Sequence, residues 1–362
     1  MNVIFRTDAS LLIGSGHVVR CLTLAQELND KGLVSEFVCR DHDGNLINHI
    51  TDRGFKVHIL PTLTENNGPE GDLPHANWLG VHWKVDAEQT FNLLLSSTFD
   101  LLVVDHYGID HRWEAAMKPL CNRIMVIDDL ADRKHDCNLL LDQNLGKSRE
   151  SYRGLIPKQS ECFFGPEFAL LKPAYAEQRK KMAPRDGQIK RALIYFGGGS
   201  DAIELTHSAL KAFNCPELID IQLDIVLSEL GKSDLFLKKL FAERGKIALH
   251  KQLPDLASLM VKADIAIGAC GSTTWERCVL GLPSILVACA INQEAISKAV
   301  HDAGAGIVLL PGEDLCSQIS KAVIKLKSDK GHYRKISERA AKICDGSGAP
   351  KISSILIDNK HG

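Results

Sequence analysis

The sequence predicts an α/β protein made of two Rossmann-like domains that face each other across a cleft. Short apolar segments alternate with longer segments of helical periodicity, which is typical of βαβ units and a parallel sheet. This alternation occurs twice, and one charged stretch with two prolines, residues 172–190, separates the two occurrences. The length of 362 residues is sufficient for two domains with separate apolar cores.

The charged stretch sets the predicted domain boundaries. Residues 1–175 are the N-terminal Rossmann-like domain, residues 176–189 the linker, residues 190–345 the C-terminal Rossmann-like domain and residues 346–362 a C-terminal tail. Prolines and charged residues with few apolar ones are typical of the segments that join domains.

The N-terminal domain opens with a predicted strand at residues 2–6 and a helix at about 18–31, which Gly32 ends. The alternation continues with a strand at 34–39, a helix at 45–53 and strands at 56–60, 101–105, 123–128 and 139–141. Residues 61–80 form one long polar loop, and its length indicates a functional role.

The C-terminal domain repeats the pattern. A predicted strand at 192–196 leads through a glycine-rich turn at 197–200 to a helix at 201–213 and a strand at 221–227. Further predicted elements are strands at 247–250, 265–268, 284–288 and 307–310, and a terminal helix at 332–344.

Composition excludes several classes of function. Apolar residues make up 45% of the chain and charged residues 24%, and the net charge of −2 predicts no nucleic-acid or membrane partner. Eleven cysteines without CxxC pairs predict reduced thiols rather than a disulfide framework or a zinc site. The start of the chain is too charged for a signal peptide, and no apolar run approaches a membrane span. We therefore expect a cytoplasmic protein, and the sequence sets no oligomeric state.

Three glycine-rich turns follow predicted strands and precede predicted helices. Such a turn aims backbone N–H groups at one point, a geometry that binds phosphate. The first turn, residues 13–17, contains Gly14 and Gly16, and the second contains Gly198. The second turn alone is equally consistent with closure over a diphosphate and with a tight connection between strand and helix.

The third turn, residues 268–276, is the strongest candidate for a nucleotide site. Gly271 permits close backbone approach, and Ser272, Thr273 and Thr274 add hydroxyl donors. Glu276 follows on the same helix, where it could accept hydrogen bonds from the ribose hydroxyls. The alternative is an ordinary Ser/Thr helix cap.

The first turn places His17 at the start of a helix. A helix N-terminus disfavours the imidazolium, so we expect His17 to remain neutral and able to accept a proton. The alternative is a histidine with a structural role.

Ten short motifs occur in order between residues 1 and about 305. They are 6–8 (RTD), 13–21 (IGSGHVVRC), 78–81 (WLGV), 105–108 (DHYG), 127–131 (IDDLA), 164–166 (FGP), 196–198 (FGG), 268–276 (GACGSTTWE), 280–283 (LGLP) and 292–293 (NQ). In this combination the chain resembles the UDP-2,4-diacetamido-2,4,6-trideoxy-β-L-altropyranose hydrolases, the inverting UDP-sugar hydrolases of bacterial pseudaminic acid biosynthesis. One departure is Thr7, where the family usually has alanine.

The resemblance implies a GT-B-type architecture with the nucleotide mostly on the C-terminal domain, a UDP-sugar as the ligand, and no cofactor or metal. It also implies His17 as the general base, with Tyr107 and Asn292 at other active-site positions. The implied uridine diphosphate site consists of Gly271, Ser272, Thr273 and Glu276. The other substrate-binding candidates in or beside the motifs are Asp8, Gly14, Gly16, Arg20, Gly198, Thr274 and Gln293. For Asp8 two roles are open, placing the sugar or polarising His17.

Several alternatives compete with a hydrolase. Fold alone does not exclude a GT-B glycosyltransferase that uses a UDP-amino sugar. A hydrolysing UDP-sugar 2-epimerase and a non-catalytic nucleotide-sugar-binding protein are the other candidates. The pair Asp128-Asp129 has the wrong spacing for a DxD metal site and is typical of acids that cap turns at strand ends. Trp78, Trp83 and Trp113 could stack on a sugar, but aromatic anchors of a core or loop are favoured.

Overall fold

The chain divides into two compact units. The computed structural model describes residues 1–62, 73–197, 202–227, 244–251, 253–289, 291–312 and 314–358, with only the backbone at 291 and 292. Unit 1 comprises Met1–Leu170 together with the chain from Gly348 onward, and unit 2 comprises Leu171–Ser347. Each unit contains one parallel sheet.

Unit 1 is built on a sheet of seven parallel strands. They are β1 (Asn2–Thr7), β2 (Val34–Arg40), β3 (Lys56–Leu60), β4 (Phe99–Asp105), β5 (Cys121–Ile127), β6 (Leu139–Asp142) and β7 (Glu161–Phe164), in the order β3-β2-β1-β4-β5-β6-β7. The helices between them are α1 (Gly16–Asp30), α2 (Ile47–Thr51), α3 (Trp83–Leu94) and α4 (His111–Met117). Along β1, Val3 and Phe5 pack into one core and Ile4 into another, so both faces of the sheet are covered.

Unit 2 has a six-stranded parallel sheet. Its strands are β8 (Arg191–Tyr195), β9 (Gln222–Val226), β10 (Ile247–His250), β11 (Ile265–Ala269), β12 (Ser284–Val287) and β13 (Ile307–Leu309), in the order β10-β9-β8-β11-β12-β13. Its described helices are α5 (Pro173–Lys181), α6 (Ala202–Ala212), α7 (Ala257–Lys262), α8 (Thr273–Val279), α9 (Ile291–Asp302), α10 (Leu315–Ser328) and α11 (Lys330–Ile343). Along the described helices of both units, no stretch has the length and hydropathy of a membrane span.

The two sheets share one topological feature. In each sheet the first strand in sequence lies beside the fourth, with the second and third strands on its other side. The chain therefore reverses direction across the sheet between β1 and β4 in unit 1, and between β8 and β11 in unit 2. In open parallel sheets, ligands bind outside the carboxyl ends of the strands at such a switch point.

The structure differs from the predicted linker and tail. The predicted tail, 346–362, includes a helix, α12 (Gly348–Asp358), whose residues Ala349, Ile352 and Leu356 are buried in the core of unit 1. The Lys31 Nζ atom also donates a hydrogen bond to Ser353 Oγ over 2.7 Å. The predicted linker, 176–189, overlaps α5, which belongs to unit 2.

Most predicted elements are present, and the elements that were missed have weak sequence signals. The predicted strands and the helices α1, α6 and α11 occur within a few residues of their expected positions. The sequence did not predict β7, α3 or α4, because short or polar-rich elements carry little periodicity. Within the long loop, residues 63–72 lie outside the described residues, and Ala76–Leu79 forms a short 3₁₀ helix.

Candidate functional site

The first glycine-rich turn delivers His17 to the switch point of unit 1. Strand β1 ends at Thr7, and α1 begins at Gly16, so His17 lies in the first turn of the helix. Gly14 has a φ of 79°, a left-handed conformation that favours glycine, and its N–H donates to the Ser10 carbonyl over 2.9 Å. This turn therefore fixes the position at which α1 begins.

Asp105 orients the imidazole of His17. It is the last residue of β4, the strand beside β1, and its Oδ1 lies 2.6 Å from His17 Nδ1. Arg20 donates from Nε to Oδ2 and from Nη2 to Oδ1, each over 2.6 Å. Burial alone would raise the pKa of Asp105, but Arg20 and His17 hold it well below its usual value.

The ionised Asp105 determines the tautomer of His17. A carboxylate can only accept a hydrogen bond, so Nδ1 of His17 carries a proton, and in the neutral imidazole the lone pair is then on Nε2. Nε2 has no hydrogen-bond partner among the described residues and is not enclosed, while the side chain is 9% exposed. This arrangement presents a proton acceptor to a ligand at the strand ends.

Aromatic side chains surround the imidazole. The ring of Tyr107 packs edge-on against His17 with 4.6 Å between centroids, and Trp78 stacks on Tyr107 at 5.3 Å. The Tyr107 hydroxyl donates to Asp129 Oδ2 over 2.8 Å. Burial and the Asp129 charge raise the pKa of Tyr107, so its hydroxyl stays protonated. His17 therefore has one aromatic wall, to which His75 adds a ring 4.7 Å from Trp78.

The other two candidate tryptophans serve as anchors. Trp113 is fully buried and donates from Nε1 to Asp86 over 2.8 Å. Trp83 lies under the guanidinium of Arg112, 5.0 Å from the ring centroid. Of the three, Trp78 alone packs near His17, with 5.9 Å between the ring centroids.

Arg20 fixes the acidic groups of the site. Its side chain is 8% exposed, and its guanidinium donates to Asp129 as well as to Asp105. The neighbouring carboxylates raise the pKa of Arg20 further, although its burial alone would lower it. Arg20 was predicted to bind substrate; in the structure it holds Asp105 and Asp129 in place.

The structure corrects the two roles considered for Asp8. Asp8 is fully buried, forms an ion pair with Arg6 Nη1 and accepts from the backbone N–H of Arg40, each over 2.7 Å. The Nε2 atom of His106 lies 3.4 Å from its other oxygen. Asp8 thus joins β1 to β2, while Asp105 is the carboxylate that contacts His17.

In unit 2, the third glycine-rich turn leaves open space above it. A Cβ atom at Gly271 would meet nothing within 4 Å, and Ser272 is exposed. Ser272 precedes α8 but makes no side-chain capping hydrogen bond, so the predicted alternative of a Ser/Thr cap is absent there. Thr273 is partly exposed, whereas Thr274 is 2% exposed and its hydroxyl accepts from Arg277 Nη2 over 3.2 Å. Thr274 therefore faces inward, away from a ligand.

Of the remaining candidate site residues of unit 2, the structure describes the side chains of two. Burial raises the pKa of Glu276, and the neighbouring Tyr175 hydroxyl opposes this shift. Gln293 Oε1 accepts from the backbone N–H of Cys289 over 3.0 Å, just after β12. Gly198 and the side chain of Asn292 lie outside the described residues.

Asp128 has partners of its own within unit 1. It is fully buried, pairs with Arg133 over 2.7 Å and accepts from the backbone N–H of Ala131 over 2.8 Å. In the part of the chain that the structure describes, no group of three His, Cys, Asp or Glu side chains is arranged for a metal ion.

Sequence reasoning missed the roles of Asp105 and Asp129. Both belonged to motifs at predicted strand ends, so the segments were recognised. Which of several acids would face His17 depends on strand order, because Asp105 lies 88 positions away and reaches it only when β4 pairs with β1. In the pairing of β1 with β4, Thr7 at the end of β1 lies opposite Asp105 at the end of β4.

One protein-family model matches the second half of the chain. Residues 193–350 match the model of the glycosyltransferase family 28 C-terminal domain. Most of this match lies in unit 2, and its last three residues lie in unit 1. The match begins within β8 and ends within α12.

Relatives of known sequence confirm the resemblance predicted from the motifs. The chain is 25% identical to the UDP-2,4-diacetamido-2,4,6-trideoxy-beta-L-altropyranose hydrolase of Campylobacter jejuni, over 82% of this chain and 94% of that protein. It is 23% identical to the spore coat polysaccharide biosynthesis protein SpsG of Bacillus subtilis, over 99% and 98%. It is 24% identical to an uncharacterized protein of Methanocaldococcus jannaschii over 83% of this chain, a match that spans 58% of that longer protein.

Solved structures confirm the GT-B-type fold. MurG of Acinetobacter baumannii superposes with a TM-score of 0.66 at 13% identity, covering 99% of both chains. UDP-GlcNAc 2-epimerase of Neisseria meningitidis, bound to UDP-GlcNAc, gives a TM-score of 0.63 at 13% identity, covering 99% of this chain and all of the other. At these identities the likeness concerns the fold alone.

Proposed function

We propose that this protein hydrolyses a UDP-2,4-diacetamido-2,4,6-trideoxyhexose at its anomeric C–O bond, with inversion, in pseudaminic acid biosynthesis. The observation that carries the proposal is the 2.6 Å pair of His17 Nδ1 and Asp105 Oδ1, which leaves Nε2 as a proton acceptor. The similarity to the Campylobacter jejuni hydrolase over most of both chains supports the substrate class. Unit 1 supplies the base, and the family 28 domain of unit 2 binds the nucleotide.

The reaction requires one proton acceptor and one leaving group. Nε2 of His17 takes a proton from water while the water oxygen forms a bond to C1 of the sugar. The bond from C1 to the UDP oxygen breaks, and its electron pair leaves on the diphosphate. Because water attacks from the face opposite UDP, the configuration at C1 inverts.

Asp105 and the glycine-rich turn stabilise the charges that develop. The imidazolium formed on His17 lies against the Asp105 carboxylate, and general base catalysis of this kind contributes about 10²–10⁴-fold. UDP is a good leaving group, so a general acid is less necessary than for ordinary glycosides. Backbone N–H groups of residues 271–273 would offset the charge on the departing diphosphate.

The other candidates contact the substrate in this proposal. Tyr107 and Trp78 form a wall on which the sugar ring lies, and Glu276 accepts hydrogen bonds from the ribose hydroxyls. Asn292 orients the water or the sugar. Arg20 acts through Asp105 and Asp129 rather than on the substrate.

A panel of UDP-amino sugars, supplied without any acceptor, tests the proposal. We expect release of UDP together with free sugar, and proton NMR of fresh product should show the inverted anomer first. Initial retention of configuration would require a covalent intermediate and would refute the direct displacement. An altered configuration at C2 would instead indicate a 2-epimerase.

A glycosyltransferase is the second candidate, because residues 193–350 match a glycosyltransferase family domain. Its reaction would need an acceptor hydroxyl in place of water, and UDP release would then depend on the acceptor. Binding of UDP-sugars without turnover under either condition would indicate a non-catalytic nucleotide-sugar-binding protein.

A further inference from the structure

Arg277 is a buried arginine beneath the third glycine-rich turn. It lies on α8 and is 2% exposed. Its Nη2 donates to the Ala269 carbonyl over 2.6 Å and to Thr274 Oγ1 over 3.2 Å. Its Nε is buried without a hydrogen-bond partner, and within the described residues no carboxylate oxygen lies within 4.0 Å of the guanidinium.

The guanidinium occupies the switch point of unit 2. A Cβ atom at Gly268 would lie 2.7 Å from Arg277 Nη1 and would collide with the Tyr195 carbonyl oxygen. Gly268 and Tyr195 are paired across β11 and β8, near the carboxyl ends of both strands. Arg277 Nη1 therefore lies where a parallel sheet of this order receives its ligand.

The buried arginines of unit 1 pair with carboxylates, whereas Arg277 has no such partner in the part of the chain that the structure describes. Arg6 pairs with Asp8 over 2.7 Å, and Arg133 pairs with Asp128 over the same distance. A charge held in a low-dielectric interior is costly unless an opposite charge compensates it. Burial lowers the pKa of Arg277, whereas the carboxylates beside Arg133 raise its pKa.

We propose that Arg277 is the positive counter-charge of the diphosphate site, and that a nucleoside diphosphate is its missing partner. This inference rests on the proposed function, in which unit 2 binds UDP. A side chain at Gly268 would collide with the Tyr195 carbonyl oxygen and would also meet Arg277 Nη1 at 2.7 Å, so glycine leaves room there for the guanidinium. The hydrogen bonds to Ala269 and Thr274 hold the planar group in place, and they also fix the turn through which backbone N–H groups reach the diphosphate.

Affinities for UDP and uridine, measured on the full chain by calorimetry and by displacement, test the inference. Arg277→Gln removes the charge and should weaken UDP binding on the order of 10- to 100-fold. Uridine carries no phosphate, so its affinity should change less than about threefold. Arg277→Lys keeps the charge and should restore most of the lost preference for UDP over uridine.

Arg244 provides the matched control. It is 5% exposed, and it donates to the carbonyls of Leu218 and Ile221, just before β9 begins, at the amino ends of the strands of the same sheet. Arg244→Gln thus also removes a buried arginine bound to carbonyls, but it should leave the ratio of UDP to uridine affinity unchanged. An equal loss of that ratio in both variants would overturn the inference.

The remaining outcomes separate the inference from the proposed function. If Arg277→Gln keeps the wild-type ratio, or loses UDP and uridine affinity equally, Arg277 is structural and the inference is overturned. If Arg277→Gln does not fold, Arg277→Met replaces it, because apolar groups substitute well for buried charges; failure of both to fold also overturns the inference. Absence of UDP binding in the wild-type protein would instead refute the nucleotide site itself.

Discussion

Tyr152 connects two buried carboxylates below the candidate active site, and this geometry predicts a dependence of stability on pH. The Tyr152 hydroxyl lies 2.9 Å from both Asp128 Oδ2 and Asp142 Oδ2. One hydroxyl has one proton, so it can donate to only one of the two. The other carboxyl must carry a proton and donate to the tyrosine oxygen.

Asp142 is the carboxyl that carries the proton. Arg133 holds the pKa of Asp128 below its usual value against the effect of burial, so Asp128 remains ionised. Burial, together with the charge of Asp129, raises the pKa of Asp142 from 3.8 to about 7, although the backbone N–H of Asn144 opposes the shift. Lys147, with Nζ 3.8 Å away, also opposes it.

The sign of the effect follows from proton binding. Between pH 4 and 7 the folded protein retains a proton on Asp142 that the unfolded chain releases, so the free energy of unfolding falls as the pH rises. At 1.36 kcal/mol per pKa unit, the loss is about 4 kcal/mol in all, of which about 3 kcal/mol falls between pH 5 and pH 8. The carboxyl is half titrated at pH 7, so the loss is nearly complete by about pH 8.

Asp142→Asn removes the titration and keeps the hydrogen bonds. Its amide oxygen can accept from the backbone N–H of Asn144, now 2.9 Å from Asp142 Oδ1, and its NH₂ can donate to Tyr152. Urea unfolding followed by tryptophan fluorescence measures the effect, because three of the four tryptophans lie in unit 1. The stability of the variant relative to wild type should increase by about 3 kcal/mol from pH 5 to pH 8.

Asp52→Asn is the control, since it removes one negative charge from an exposed position of the same unit. An increase of similar size in this variant would attribute the effect to net charge. A difference between Asp142→Asn and wild type that stays constant from pH 5 to pH 8 would refute the assignment of the proton to Asp142.

Three further predictions concern the catalytic groups. His17→Ala should lower kcat by about 10²–10⁴-fold while the Kd for UDP stays within about threefold, and retained turnover in a UDP-release assay would remove His17 from the mechanism. Asp105→Asn should lower kcat by on the order of 10²–10⁴-fold, because the asparagine amide can stabilise the wrong imidazole tautomer. If a variant with native circular dichroism keeps its kcat, orientation of His17 by Asp105 is dispensable. Tyr107→Phe deletes one hydrogen bond to Asp129 and should lower kcat/KM about tenfold, with the Kd for UDP unchanged. A loss of UDP affinity of the same size would indicate that Tyr107 contacts the nucleotide instead.

Local signals were enough to predict most strands and the position of His17. Apolar runs such as residues 101–105 and the glycines of the first turn act within a few residues, where sequence patterns are informative. The pairing of β4 with β1, which brings Asp105 to His17, depends on contacts across the whole sheet. The return of α12 to unit 1 depends in the same way on a surface formed far away in sequence, so the last residues resembled a tail.

The same strand order in the two units positions different chemistry at equivalent points. In unit 1 the switch point holds a complete set of charges, because Asp105 and Asp129 together balance Arg20 and any imidazolium on His17. In unit 2 the equivalent point holds main-chain donors and Arg277, whose charge has no carboxylate partner among the described residues. A base must be oriented before the substrate arrives, whereas a site for a dianionic leaving group gains affinity when its positive charge is left for the ligand to neutralise. The contrast in charge balance between the two sheets therefore favours assigning proton transfer to unit 1 and the diphosphate to unit 2.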